Sequence, residues 1–380
     1  GNLFQELDRP DEAEVNYKMA LSIKPDYAEA YYNLGNLFQE LDRPDEAEVN
    51  YKKTIELQSN FSKAFNSLGV MLQKLGRIKE AEECYKKYIG IEPDGTSEII
   101  SVGSTLFENG EYKKAISYFD DYNTQESRAN SLYSLYALGR IDDIYNRIKL
   151  KAKLDDKNLM VAAFSSFISS KQKKDVENNF CKNPLDFIYY SSIENHIEHP
   201  RKFITNIVST LPKIKSLWNP ANTSVRNGFQ TNGDIFKTTH KSIFDLKLII
   251  LSEIDSYHMK FKNESCTFID NWPIEKNLQG WHIILKEQGF NTPHIHPSGW
   301  LSGVIYLEVV PSLEKNEGAI EFSLNGEHYF HNESPKITYQ PKIGDIIFFP
   351  SSLNHKTIPF STNKDRVIIS FDLLPDKSNN

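Results

Sequence analysis

Apolar residues along this chain follow two rhythms. Up to about residue 150 they sit at helical spacing inside a repeating unit. From Trp218 they fall into short alternating or apolar runs separated by Gly, Pro and Asn turns. Repetition sets the first rhythm. Residues 1–18 read GNLFQELDRPDEAEVNYK, residues 35–52 repeat them letter for letter, and the offset of 34 leads on to Gly69 and Gly103. Alanine recurs in step at Ala13, Ala47, Ala81 and Ala115, with an aromatic four residues later at Tyr17, Tyr51, Tyr85 and Phe119. Each alanine shares a helix face with its aromatic, and the small residues let two antiparallel helices approach closely. Pro25 and Pro93 end two of the units, and a degenerate fifth unit is expected around Ser131–Arg147. A single helix pair cannot bury its apolar face, so the units are expected to stack into an all-α solenoid with a concave, peptide-binding groove.

Residues 151–215 read as a helical connector that caps the solenoid. The stretch 152–171 looks like another helix pair, and 174–211 is rich in Asn and Lys without a clean period. A helix is expected over Ile243–Met259. Strands follow near 281–288, 300–310, 318–324, 336–340, 345–349 and 366–374. Several short strands after a helix predict a β-barrel or sandwich backed by helices. The expected boundaries are therefore 1–150 for the repeats, 151–215 for the connector, 216–375 for the β domain and 376–380 for a disordered tail.

Composition narrows the function classes. The net charge of −7 leaves no nucleic-acid footprint. Three scattered cysteines, Cys84, Cys181 and Cys266, suggest neither a disulfide framework nor a zinc finger and fit a reducing, cytoplasmic setting. No apolar run approaches a membrane span. The chain begins at Gly1 in mid-repeat, so the natural N-terminus is expected to have been lost.

Three segments carry chemistry. In GFNTPHIHPSGWLSGVIYLEVV, His294 and His296 are two apart on extended chain and point the same way. In PKIGDIIFFPSSLNHKTIPF, Pro350 breaks a buried strand and His355 sits on the loop behind it. In RVIISFDLLP, Arg366, Ser370 and Asp372 share one face, while Val367, Ile369, Phe371 and Leu373 share the other. A strand polar on one side and apolar on the other suits a barrel wall around a site. Elsewhere, His196 and His199 read as solvated, His328 and His331 as loop residues, and His282 as either core or pocket wall.

The 34-residue unit resembles the tetratricopeptide repeat. The paired histidines, the distant His355 and the following Arg366 resemble the iron(II)- and 2-oxoglutarate-dependent dioxygenases. They are closer still to the oxygenases that follow tetratricopeptide repeats in bacterial chains. The segments PHIHPSGWLSGVIYL, EGAIEF, PKIGDIIFFPSSLNH, RVIISFDLLP and the earlier TSVRNGFQT carry that likeness, over about 216–375. The resemblance implies a double-stranded β-helix (jelly roll) with supporting helices. It also implies Fe(II) held by His294, His296 and His355, with 2-oxoglutarate as co-substrate alongside O2. Arg366 would pair with the distal carboxylate of 2-oxoglutarate, and Ser302, Tyr306 and Ser370 would add hydrogen bonds.

The sequence departs from that pattern at one place. His296 stands where most such enzymes carry Asp or Glu. Either His296 is a third ligand, or a carboxylate from elsewhere such as Glu321 binds the metal, or the position is left to water or an anion. The expected function is hydroxylation of a protein or peptide recruited by the repeats. Its rivals are a non-catalytic interaction scaffold with a metal-free barrel, and a small-molecule oxygenase whose repeats serve assembly. The sequence specifies no oligomeric state.

Overall fold

The computed structural model describes residues 9–92, 96–220, 223–231, 233–312 and 314–376. The chain divides into two compact units, Gly1–Leu138 and Gly139–Asn380.

The first unit is a run of helices: Pro10–Ile23, Ala28–Glu40, Pro44–Leu57, Ser62–Lys74, Ile78–Ile91, Thr96–Glu108, Tyr112–Tyr122 and Gln125–Ala137. Pro10 and Pro44 open their helices, where a missing N–H has no partner to lose. The repeated landmarks form the seam. Ala13, Ala47, Ala81 and Ala115 have no exposed surface, and the aromatics that follow them are buried too. A Cβ built on Gly35 would lie 2.7 Å from the Tyr51 ring, and one on Gly69 would lie 2.7 Å from Tyr85. On Gly103 it would lie 2.5 Å from Phe119. Glycine is therefore required at the landmark because the next helix lays its aromatic across the bare backbone. One apolar core runs from Ala13 to Phe119, giving the tetratricopeptide solenoid that the period predicts. The stretch expected as a fifth unit does form two helices, Gln125–Ala137 and Ile141–Lys151, but the first belongs to the N-terminal unit and the second to the C-terminal one. Pro93 lies outside the described residues.

The second unit carries the strands β1 (Tyr189–Ser192), β2 (Ser216–Trp218), β3 (Val225–Thr231), β4 (Leu278–Asn291), β5 (Leu301–Glu308), β6 (Ile320–Ser323), β7 (Lys336–Tyr339), β8 (Asp345–Pro350), β9 (Asn354–Thr357) and β10 (Arg366–Leu373). They form a seven-stranded sheet in the order β1-β8-β5-β10-β4-β3-β2 and a three-stranded sheet in the order β7-β6-β9. Every pairing is antiparallel. Together the sheets make an antiparallel, sheet-rich domain backed by helices. The long helix Lys241–Phe261 buries Ile250, Ile254 and Tyr257 in the same core as Val367, Ile369, Phe371 and Leu373 of β10. That apolar half of β10 fixes its register, so its other half turns inward.

The differences from expectation are local. Residues 152–171 hold one helix, Leu159–Gln172, because the preceding turn ends at Asn158, whose side chain caps that helix through Val161 N–H. The connector is not helical throughout: Tyr189–Ser192 is a strand paired with β8. β9 comes from the segment read as a loop, since His355 and its neighbours pair with β6. Most of the expected tail, 377–380, lies outside the described residues. Among the described residues, no helix is long and apolar enough to cross a membrane.

Candidate metal centre

His294 and His296 lie just beyond β4, and His355 lies in β9. His294 and His355 form an isolated antiparallel bridge, each N–H donating to the other's carbonyl at 3.1 Å. The His296 N–H donates to the Ser351 carbonyl at 2.9 Å and pins the other end of the pair. Ring centroids are 4.2 Å apart for His294 and His355, 5.0 Å for His296 and His355, and 5.2 Å for His294 and His296. One ligand nitrogen from each ring lies within 4.8 Å of the other two.

Hydrogen bonds also set which nitrogen that is. His294 Nδ1 is 2.7 Å from the Thr292 carbonyl, His355 Nδ1 is 3.1 Å from the Leu353 carbonyl, and His296 Nδ1 is 2.6 Å from Asp372 Oδ1. Carbonyl and carboxylate oxygens accept and do not donate. Each ring therefore carries a proton on Nδ1, and in the neutral form the lone pair is left on Nε2. Burial, and then the neighbouring His296, pushes His294 down to about 3. Burial, followed by His294 and His296, holds His355 well below its ordinary value. Both are neutral at neutral pH, the form that binds a metal. Neutral imidazoles suit iron(II), among other transition metals, and three ligands leave coordination positions for a co-substrate.

The three rings line a cavity of about 280 Å³ together with Trp281, Tyr306, Arg366 and Ser370. Arg366 is only 1% exposed, and its Nε donates to the Gly318 carbonyl at 3.2 Å. Its Nη1 and the Tyr306 hydroxyl have no hydrogen-bond partner among the described residues. Burial lowers the guanidinium from its ordinary value and pushes Tyr306 up to about 12. Burying a cation away from any anion weighs against the fold, and the neighbouring Tyr306 offsets only part of that cost. A carboxylate entering this cavity would relieve that penalty, and a guanidinium can hold it with two parallel hydrogen bonds.

The structure thus brings together His294, His296, His355, Arg366, Tyr306 and Ser370 on one cavity wall. Two expectations fail on geometry. Ser302 has no exposed surface, and its hydroxyl is committed to Asp372 at 2.6 Å and to Ser351 at 2.8 Å, so it faces away from any co-substrate. Glu321 pairs with Lys356 at 3.1 Å and Lys336 at 3.7 Å, while its neighbour Ile320 faces the cavity. Strand alternation therefore removes Glu321 from the metal. His282 resolves to the core: it is 1% exposed and bonds Thr231. His196 is not simply solvated, because its Nε2 meets buried Glu253. The sequence pattern does not single out two neighbours of the rings. Ser224 Oγ lies 3.2 Å from His294 Nε2, and no chemical signal marks it. Asp372 stands on the polar face of β10, but nothing local names His296 as its partner.

Comparison with known proteins agrees with the two units. The family described as "Putative 2OG-Fe(II) oxygenase" matches residues 279–372. Tetratricopeptide-repeat families match residues 1–42, 28–61 and 62–94. The chain therefore carries tetratricopeptide repeats in its N-terminal part and an oxygenase-family region in its C-terminal part. Among solved structures, MamA is 19% identical with a TM-score of 0.34, covering 39% of this chain and 90% of that one. A Pseudomonas putida prolyl-4-hydroxylase is 12% identical with a TM-score of 0.36, covering 50% of this chain and 93% of that one. Pseudomonas aeruginosa pilF is 19% identical with a TM-score of 0.33, covering 45% and 80%. No curated protein matches the chain.

Proposed function

We propose that the β domain, about residues 216–375, is an iron(II)- and 2-oxoglutarate-dependent oxygenase that hydroxylates a protein or peptide recruited by the repeats. His294, His296 and His355 hold the metal through Nε2, and Arg366 pairs with the distal carboxylate of 2-oxoglutarate. Tyr306 and Ser370 add hydrogen bonds from the cavity wall. The metal, when bound, supplies the activation of O2 that drives hydroxylation of a C–H bond. The chain's own residues orient the co-substrate.

The observation that supports this reading is the pairing of three convergent imidazole nitrogens with a buried Arg366 that has no anionic partner among the described residues, in one cavity. Iron(II)-loaded protein should convert 2-oxoglutarate to succinate and carbon dioxide. His355→Ala should abolish that turnover, and Arg366→Ala should weaken it. Loaded protein that neither binds nor decarboxylates 2-oxoglutarate would sink the idea. The substrate class is tested by mass analysis of proteins held by the intact chain: a partner that gains one oxygen atom supports peptide hydroxylation. Turnover that needs only a small molecule would reassign the repeats to assembly.

A further inference from the structure

The metal centre has a charge deficit. Two of its three rings lean on neutral carbonyls, those of Thr292 and Leu353. Only His296 leans on a carboxylate. That carboxylate has a deficit of its own. Asp372 is 7% exposed, and among the described residues no Lys or Arg reaches it; its one ionisable partner is His296. A buried anion without a cation and a buried metal site without an anion stand on opposite sides of one imidazole.

We infer that Asp372 is a positioning residue of the metal centre, supplying through His296 the negative charge that no ligand supplies directly. The surrounding contacts form a closed circuit. The His296 ring donates to Asp372 Oδ1, which also accepts from Ser302 Oγ at 2.6 Å. Ser302 Oγ lies 2.8 Å from Ser351 Oγ, and the Ser351 carbonyl accepts the His296 N–H at 2.9 Å. Ring orientation and backbone position of His296 are thus set by one cluster. Gly299 leaves room for it: a Cβ there would lie 2.6 Å from Ser351 Oγ and 3.0 Å from Asp372 Cγ. An anionic acceptor on Nδ1 makes Nε2 a stronger donor, and such partners typically change metal affinity by about 10–100-fold.

This inference rests on the three-histidine metal reading, and cobalt(II) separates the two. Asp372→Asn keeps the shape and an acceptor oxygen but removes the charge; Asp372→Leu removes both. Equilibrium dialysis should show cobalt binding weakened about 10-fold in the first and about 100-fold in the second. The visible absorption of bound cobalt should change in Asp372→Leu as the ring loses its orientation. Glu321→Gln, turned toward its lysines, should bind cobalt as the unaltered protein does. If Asp372→Leu does not fold, Asp372→Asn and Ser302→Ala decide, both losing affinity in the same direction. Folded variants with unaltered affinity and spectrum overturn the role of Asp372 alone. Failure of the unaltered protein to bind cobalt overturns this role and the metal reading together.

Discussion

The Arg366 guanidinium lies 5.1 Å from the centre of the Tyr306 ring, with Nη1 and the Tyr306 hydroxyl both unbonded among the described residues. The ring face softens the cost of burying the cation but does not neutralise it. An anion bound beside both groups, as proposed for 2-oxoglutarate, would offset that cost.

Arg366→Met should therefore separate stability from function. Without 2-oxoglutarate the variant should unfold at the same temperature or higher, since replacing a buried ion by an apolar side chain is often neutral or stabilising by about 1–4 kcal/mol. Its affinity for 2-oxoglutarate should fall by about 10–100-fold, the loss of a charge-assisted hydrogen bond worth about 1.5–3 kcal/mol. Thermal unfolding and titration calorimetry on the same preparation check both. A strongly destabilised variant would mean that Arg366 is already satisfied within the fold.

Acid stability should report on His282, which lies in the core and away from the metal. Burial pushes it from 6.5 down to about 4, so the folded chain keeps it neutral. Unfolding restores its ordinary value, and between those limits the unfolded chain holds the extra proton. Stability is intact above the unfolded value and is lost as pH falls from about 6.5 toward 4, by up to about 1.4 kcal/mol per pH unit. Urea midpoints across that range should fall more steeply in the unaltered protein than in His282→Gln. Parallel slopes would contradict the assignment.

In the repeats, Gly69→Ala should destabilise by about 1–3 kcal/mol, the usual penalty for overpacking. The added methyl would meet the Tyr85 ring at 2.7 Å. The opposite result, a gain in helix stability from replacing glycine, is expected at Gly90, where a Cβ meets nothing within 4 Å. Denaturant midpoints of the two variants should therefore move in opposite directions.

The repeat period and the alternation of β10 were legible because each is a local pattern with one physical meaning. A 34-residue offset places Gly69 against Tyr85, and period two places Val367 and Arg366 on opposite faces. The convergence of His294 and His296 followed from the same rule. What stayed hidden depended on pairing between distant segments. β9 is four residues long, and only its partner β6 and the bridge to His294 make it a strand. β1 lay in a stretch that reads as helical because four residues carry no period of their own. Ser302 looked like a cavity residue because it alternates with Gly303 and Val304. Its hydroxyl was claimed by an aspartate seventy residues away, which no local pattern encodes.

The position of β1 also bears on where this domain can be cut. Tyr189–Ser192 occupies one edge of the larger sheet and shields the backbone of Phe348 through Asp345 on β8. A fragment begun at Ser216, or at residue 279 where the family match starts, would expose that edge beside Ile346 and Phe348, an invitation to intermolecular pairing. A working graft onto another protein must therefore bring Tyr189–Ser192 along. The unit that protects its own edges is longer than the stretch matched by the family.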